Sequence, residues 1–337
     1  MDTSLLSDVA NRMVAPCKGI LAADESTGTI GSRLAGIGLE NTEDHRRAWR
    51  ETLLTTPGIE EQISGVILYD ETIRQTASDG EQLAEKLIAL GIMPGIKVDK
   101  STSPLENAPG ELFTSGLDGL RDRLTEYRDL GATFAKWRAV INIAHGLPTL
   151  RAIKVNSQAL ARYAGLCQEA GIVPIVEPEV IMDGDHSIEK CYQATEATLS
   201  QVFSDLVDAG VYLEGIVLKP NMVISGSDAS NRASAEEVAK QTITCFRRTV
   251  PAAIGGIAFL SGGQGDEEAS VNLDAINRSS LDRPWEMTFS YGRGLQAAPQ
   301  AHWGKDTSDI AGTQAVFAKR VAIVSAARRG EYTPDME

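Results

Sequence analysis

The sequence predicts an α/β fold, a closed (β/α)8 TIM barrel formed as a single domain over residues 1–337. Three observations indicate this fold. Eight short apolar runs rich in β-branched residues recur along the chain, and the segments between them show helical periodicity. Four helical segments end at glycines spaced 40, 40 and 39 residues apart, namely Gly91, Gly131, Gly171 and Gly210. A barrel of this kind takes about 250 residues, which leaves room for terminal helices and longer loops.

The eight apolar runs give the expected strand positions. They lie at residues 18–24, 65–71, 93–99, 134–140, 173–179, 215–221, 257–263 and 286–292. Strands that alternate with helices are joined by crossover connections and therefore run parallel. Glycine at the helix ends suits the left-handed position that closes a helix. We expect an N-terminal helix at 4–14 and a C-terminal helix at about 307–329.

A doubly wound open sheet is the alternative fold. It should carry a glycine-rich dinucleotide fingerprint after the first strand. The segment that follows the first strand, residues 25–31, reads ESTGTIG, and its glycine spacing does not fit that fingerprint. No linker or shift in composition marks a second domain, so the barrel is favoured.

Composition and charge exclude several classes of protein. Hydrophobic residues make up 42% of the chain, which is enough for a large core. The net charge of −14 argues against binding to nucleic acid or to anionic membranes. No apolar run reaches the roughly 20 residues of a membrane span, and the N-terminal segment lacks a signal-peptide pattern. We therefore expect a cytoplasmic protein.

The cysteines and histidines indicate neither disulfides nor a metal site. The four cysteines are far apart and without paired spacing, at Cys17, Cys167, Cys191 and Cys245. The four histidines are equally scattered, and the acidic turn at 183–186 is better explained as solvated. The sequence therefore predicts reduced thiols, no bound metal and no cofactor.

Lys219 is the most informative residue, because it closes the sixth apolar run directly after Leu218. A lysine amine sealed among apolar neighbours loses its hydrating water, which favours the neutral form that attacks carbonyl groups. Functional residues of such barrels gather where the strands end. Read in order, the other strand ends supply Asp24, Lys97, Lys136, Arg138, Glu177, Glu179, Ser261, Gly262, Gly263, Ser290, Gly292 and Arg293.

Two loops after the seventh and eighth strands resemble an anion cradle. The glycines of Ser261–Gly265 allow a close backbone approach, and Arg293 adds a guanidinium that can grip a phosphate. Arg33 and Lys97 form a second cationic locus that suits a phosphate at the other end of a substrate. We therefore expect a locally basic site within an acidic protein.

These residues suggest a metal-free lyase that acts on a phosphorylated keto-sugar. Lys219 would attack the ketone, and the neighbouring cation Lys136 would help to keep its amine neutral. Loss of water to form the iminium needs an acid or base, for which Glu177 is the candidate. Asp24 would hold or deprotonate the hydroxyl whose collapse releases an aldehyde.

The motifs that contain these residues resemble class I fructose-1,6-bisphosphate aldolases. They are GILAADESTGTI, GIKVDK, FAKWR, GIVPIVEPE, LKPNMV, FLSGGQ and TFSYGR, and they spread over nearly the whole chain. The resemblance implies a glycolytic and gluconeogenic enzyme, commonly a homotetramer, that cleaves fructose 1,6-bisphosphate reversibly into dihydroxyacetone phosphate and glyceraldehyde 3-phosphate. It assigns catalysis to Lys219, Glu177, Asp24, Lys136 and Glu179. It assigns substrate binding to Ser26, Arg33, Lys97, Arg138, Ser261, Gly262, Gly263, Ser290, Gly292 and Arg293.

The chain departs from the family pattern at three places. Ser32 stands where many members have a lysine, and residues 69–72 read YDET where HET is familiar. The tyrosine-ended tail of animal relatives has no counterpart, so we expect a bacterial-type member in which Glu177, acting through water, protonates the enamine. A related lyase for sedoheptulose 1,7-bisphosphate and a non-catalytic phosphosugar-binding barrel remain open as alternatives.

Overall fold

A computed structural model describes all 337 residues and contains a closed barrel of eight parallel strands. Each predicted strand region overlaps one of them, so the predicted fold is confirmed. The barrel strands are β1 (Gly19–Ala23), β2 (Ile63–Leu68), β3 (Met93–Lys97), β6 (Phe134–Ile141), β7 (Val173–Val180), β8 (Val217–Leu218), β9 (Gly256–Phe259) and β10 (Met287–Tyr291). Consecutive barrel strands are neighbours, and β10 closes the ring against β1.

Twelve α-helices surround or extend the barrel. In the first half of the chain they are α1 (Thr3–Met13), α2 (Thr27–Gly36), α3 (Glu43–Leu54), α4 (Asp70–Arg74), α5 (Leu83–Ala89) and α6 (Leu120–Asp129). The second half contains α7 (Leu150–Glu169), α8 (Ile188–Asp208), α9 (Ala235–Thr249), α10 (Asp266–Arg278), α11 (Arg293–Trp303) and α12 (Ile310–Arg329). None of them combines the length and the apolarity that a membrane-spanning helix needs.

A short hairpin lies outside the barrel and was not predicted. Its strands β4 (Thr102–Pro104) and β5 (Leu112–Thr114) pair antiparallel between β3 and α6. The first of these strands is largely exposed and contains a proline, so it shows none of the apolar alternation that reveals a buried strand. Ser101 and Thr102, at the start of the hairpin, reach the rim of the barrel mouth.

The barrel interior is a compact apolar core of its own. Its buried side chains come from alternate strand positions, and α1 packs against them and covers the N-terminal end of the barrel. The cluster contains Leu6, Val9, Ala10, Met13, Val14, Ile20, Ala22, Ile67, Met93, Phe134, Val173, Ile175, Val217 and Ala258. A second, larger cluster fills the space between the strands and the outer helices.

The same alternation carries the inward rows up to the open end of the barrel. Side chains two apart on a strand share a face, so the row that contains Phe134 continues with Lys136. On β7 the row through Val173 and Ile175 continues with Glu177. The charged residues thus form the layer directly above an apolar floor.

The fit of Phe134 inside the barrel makes Gly95 a sensitive position. A Cβ atom added at Gly95 would lie 2.1 Å from the Phe134 ring. We expect Gly95→Ala to lower the free energy of unfolding by about 1–3 kcal/mol, because the added methyl group overpacks the barrel interior. Gly36→Ala is the control, since a Cβ there meets nothing within 4 Å. Urea denaturation of both variants tests this, and an unchanged Gly95→Ala midpoint would show that the interior can yield.

Candidate active site

A cavity of about 710 Å³ opens at the C-terminal ends of the barrel strands. All fifteen residues that the sequence predicts for the site line this single cavity. They are Asp24, Ser26, Arg33, Lys97, Lys136, Arg138, Glu177, Glu179, Lys219, Ser261, Gly262, Gly263, Ser290, Gly292 and Arg293. Residues that are up to 269 positions apart in the chain therefore meet at one mouth, as the barrel topology requires.

Four buried charged residues form a chain of alternating sign across the cavity. Lys136 Nζ lies 2.7 Å from Asp24 Oδ2 and 3.3 Å from Glu177 Oε2. Lys219 Nζ lies 3.2 Å from the other oxygen, Glu177 Oε1. Each of the four is at most 8% exposed. The two lysines therefore share one carboxylate, which the sequence alone could not reveal.

The Asp24–Lys136 pair is held in its ionised form. Burial raises the pKa of Asp24, but the charges of Lys136 and Lys219 and the hydrogen bond from Lys136 outweigh this and lower the pKa to about 2. Burial likewise lowers the pKa of Lys136, while Asp24, Glu177 and Asp99 together raise it above its ordinary value. Near neutral pH this pair is a fixed dipole, and neither member is suited to exchange protons.

Glu177 has a different environment. It is 3% exposed and bridges the two ammonium groups, yet its Oε2 accepts no hydrogen bond although Lys136 Nζ is 3.3 Å away. A buried carboxylate oxygen without such a partner can take one from a ligand. The backbone N–H of Lys219 donates to Val176 O at 2.8 Å, which fixes the end of β8 beside β7. Glu177 is thus within proton-transfer distance of Lys219 and has one oxygen available.

The expectation of a basic site is wrong, because most of the cations are paired. The cavity is lined by six cationic and six acidic side chains. Arg33 pairs with Glu25 and Arg138 with Glu179. Lys97 Nζ lies 2.6 Å from Asp99 Oδ1. Arg293 is the one cation among the six that has no carboxylate partner.

The two loops after β9 and β10 come together as the sequence predicts for an anion cradle. Gly262 has φ +55°, in the left-handed region that favours glycine. Arg293, the first residue of α11, is exposed and donates from Nη2 to Gly262 O at 2.7 Å. Ser290 is 1% exposed, and its Oγ has no hydrogen-bond partner. A hydroxyl without a hydrogen-bond partner, a guanidinium without a carboxylate partner and a helix N-terminus therefore converge.

Glu25 is a site residue that sequence reasoning missed. It is 8% exposed, accepts from Arg33 and Gln296 at Oε1, and accepts from Arg50 Nη2 at 2.7 Å through Oε2. Arg50 is 2% exposed, so its charge offsets that of Glu25 and leaves the trio with one net positive charge. An acidic residue next to Asp24 in the motif was the available signal.

The structure shows no cluster of side chains suited to bind a metal, because no group of three or more His, Cys, Asp or Glu side chains is arranged to hold a metal ion.

Tyr332 is 8% exposed, and its backbone N–H donates to Asp274 Oδ1 at 2.9 Å. It packs on α10 and is not among the residues that line the cavity.

Comparison with known proteins decides the family. The family model described as fructose-bisphosphate aldolase class-I matches residues 5–337. The chain belongs to the class I fructose-bisphosphate aldolase family. The prediction of a class I aldolase from the sequence motifs is therefore confirmed.

Relatives from bacteria, animals and other eukaryotes agree with this family. A probable fructose-bisphosphate aldolase class 1 of Xanthomonas campestris is 53% identical over 98% of this chain and 99% of its own length. The non-muscle-type aldolase of Lethenteron camtschaticum is 48% identical over 98% and 91%. A solved structure of the Plasmodium falciparum aldolase, in complex with TRAP and a small-molecule inhibitor, superposes with a TM-score of 0.96 at 45% identity, covering 98% and 96%.

The lowered pKa of Asp24 predicts how stability depends on pH. A carboxyl group whose pKa falls on folding stabilises the protein above its unfolded pKa of 3.8, and this is lost as the pH falls toward about 2. We expect the wild type to exceed Asp24→Asn in free energy of unfolding by at least about 2 kcal/mol near neutral pH. The difference should stay constant down to about pH 5 and shrink below pH 3.8.

Chemical denaturation across that pH range tests this. Asp79→Asn is the matched control, because Asp79 also pairs with a lysine, Lys86, but lies on the surface where solvent screens the pair. The interpretation fails if the difference for Asp24→Asn persists unchanged to the lowest pH or equals that of the control.

Proposed function

We propose that the protein cleaves fructose 1,6-bisphosphate reversibly into dihydroxyacetone phosphate and glyceraldehyde 3-phosphate through a Schiff base on Lys219, without a metal. The observation that carries the proposal is the buried Lys219–Glu177–Lys136–Asp24 chain beside an anion cradle. Membership of the aldolase family supports the reaction class. The contacts among these four side chains support the role of each residue.

The first step is attack by the Lys219 amine on the ketone carbon. The attacking amine must be neutral, so the Lys219 ammonium first gives a proton to Glu177 Oε1, at 3.2 Å. After the attack, one proton passes from the nitrogen to the former carbonyl oxygen and gives the neutral carbinolamine. Glu177 then donates its proton to that hydroxyl, which leaves as water. The product is an iminium, which draws electrons from the neighbouring C–C bond. The low exposure of Lys219 and Glu177 supports this step, since it protects the iminium from premature hydrolysis.

The second step is cleavage of the C–C bond. The hydroxyl on the carbon that leaves must lose its proton as that carbon becomes an aldehyde. A pKa of about 2 makes Asp24 a poor base but a good hydrogen-bond acceptor, so we assign it to hold this hydroxyl. Glu177, again ionised, takes the proton and later gives it to the enamine carbon. Hydrolysis of the iminium then frees Lys219.

Two groups of cationic and polar side chains in the cavity suit the two phosphates of the substrate. Ser261, Ser290 and Arg293 would bind the phosphate next to the ketone. Arg33 and Lys97 would approach the other phosphate. Both of these cations are paired with carboxylates in the free protein, so the second phosphate must share or displace Glu25 and Asp99. Sharing a cation weakens its net attraction for a ligand, which supports tighter phosphate binding at Arg293.

Covalent trapping tests the role of Lys219 directly. With dihydroxyacetone phosphate and borohydride in excess chelator, the ligand mass should appear on the peptide that contains Lys219. Lys219→Met should abolish the trapping and lower cleavage of fructose 1,6-bisphosphate by at least about 10⁴-fold, because the nucleophile is removed. Lys154→Met, which changes an exposed lysine on α7, should leave both unchanged. Labelling of a different lysine, or activity that needs a divalent metal, would refute the mechanism.

Two substitutions separate the phosphate sites. Arg293→Ala removes a charge-assisted contact and should weaken use of fructose 1,6-bisphosphate and fructose 1-phosphate alike, by roughly 1.5–3 kcal/mol in kcat/KM. Lys97→Ala should affect mainly the bisphosphate, because fructose 1-phosphate lacks the second phosphate. Steady-state kinetics with both substrates checks this. Equal losses from both variants on both substrates would contradict the division of roles.

The oligomeric state and the cellular location of the protein are proposed from its resemblance to the family. A homotetramer in the cytoplasm is expected, and a curated relative from Arabidopsis thaliana that is 50% identical is named as cytosolic. Analytical ultracentrifugation of the purified chain measures the assembly.

A further inference from the structure

Arg320 is a buried arginine behind the anion cradle that the catalytic steps above do not use. It lies on α12 and is 4% exposed. Its side chain points between α10 and α11, the two helices that begin directly after the loops of the cradle. A fully buried guanidinium is costly unless its N–H groups and its charge are satisfied, so its partners show what holds it there.

Its partners come from three separate segments of the chain. Nε donates to Gly294 O at 3.0 Å, in the first turn of α11. Nη2 donates to Asp266 O at 2.5 Å, the first residue of α10, and also to Ser270 Oγ. Nη1 donates to both oxygens of the Glu337 side chain, at 2.7 and 2.9 Å. All its N–H directions are therefore used, and the Glu337 carboxylate balances its charge.

The two backbone carbonyls are adjacent to the cradle in sequence. Gly294 follows Arg293, and Asp266 follows the loop Ser261–Gly265. The two halves also touch each other directly, because a Cβ added at Gly294 would lie 3.3 Å from Ser261 Cβ. A guanidinium is planar and rigid, so bonds from its two sides set a fixed distance between the groups that it contacts. Arg320 thereby links both halves of the cradle from behind.

We propose that Arg320 is a positioning residue that sets the spacing of the phosphate cradle, with Glu337 as its counter-charge. It does not touch the ligand. It holds the start of α11, and with it Arg293, at the separation from the Ser261–Gly265 loop that fits a phosphate. This inference rests on the proposed function for the identity of the ligand, but the cradle can be tested with inorganic phosphate alone.

The test compares Arg320→Lys with a matched substitution on the same helix. Lysine keeps the charge but cannot bond to both carbonyls in one plane, so the spacing is lost while the charge remains. Arg328→Lys is the control. Arg328 is also buried, at 9% exposure, and pairs with Glu286, which precedes β10 at the opposite end of the barrel. It should lower stability without affecting the cradle.

Calorimetric titration with inorganic phosphate and steady-state kinetics with fructose 1,6-bisphosphate supply the readouts. We expect Arg320→Lys to weaken phosphate binding and raise KM by about tenfold, with kcat within about threefold of wild type. Arg328→Lys should leave all three unchanged, even where thermal unfolding shows an equal loss of stability. A purely structural role for Arg320 would instead give the two variants the same pattern.

A milder variant keeps the inference testable if Arg320→Lys does not fold. Ser270→Ala removes one hydrogen bond from the guanidinium, and we expect about threefold weaker phosphate binding. Unchanged phosphate affinity in every folded variant, or a fall in kcat with KM unaltered, overturns the inference. Failure of the wild type to cleave fructose 1,6-bisphosphate would refute the proposed function, while the phosphate titration would still decide the role of Arg320.

Discussion

The alternation of side chains along parallel strands is the constraint on which the site depends. Positions that differ by two residues face the same way, so the rows that begin with apolar side chains deep in the barrel end with charged ones at its mouth. Phe134 is thus followed by Lys136, and Ile175 by Glu177. The apolar floor, closed below by α1, keeps water away from these charges and strengthens their interactions. A one-residue slip in register would turn them toward the helices.

Charge balance governs what this site can bind. Five of its six cations are paired with carboxylates, so the cavity does not attract anions as an open basic patch would. Such pairing makes buried cations tolerable, because each finds its counter-charge within a few ångströms. Under the proposed function, a phosphorylated ligand would have to rearrange the existing ion pairs of Arg33 and Lys97, whereas at Arg293 it would meet a guanidinium without a carboxylate partner. Such an asymmetry would give a bisphosphate a preferred orientation.

The sequence indicated which residues line the cavity, but it did not show which of them contact one another. Lysines inside apolar runs stand out because such positions rarely tolerate a charge, which is why Lys136 and Lys219 could be recognised. The serine- and glycine-rich loops after the last strands were recognisable from composition and position. The barrel followed from the spacing of apolar runs, since each run needs a buried strand.

What the sequence could not show depends on contacts between distant segments. Glu25 looks like an ordinary solvated acid in its motif, and only the fold brings Arg50 against it. The hairpin of β4 and β5 lacks apolar alternation. Arg320 sits in a helix where a cation normally faces solvent, and its burial depends on Asp266 and Gly294, which arrive from other helices. Pairing and burial of this kind are properties of the folded chain.

The most direct measurement is a crystal structure of the protein soaked with dihydroxyacetone phosphate. We predict continuous electron density from Lys219 Nζ to the ketone carbon, with Glu177 within hydrogen-bond distance of that carbon's substituents. The phosphate should contact Ser290 and Arg293. A ligand that is not covalently bound to Lys219, or whose phosphate lies against Arg33 and Lys97 instead, would contradict the account.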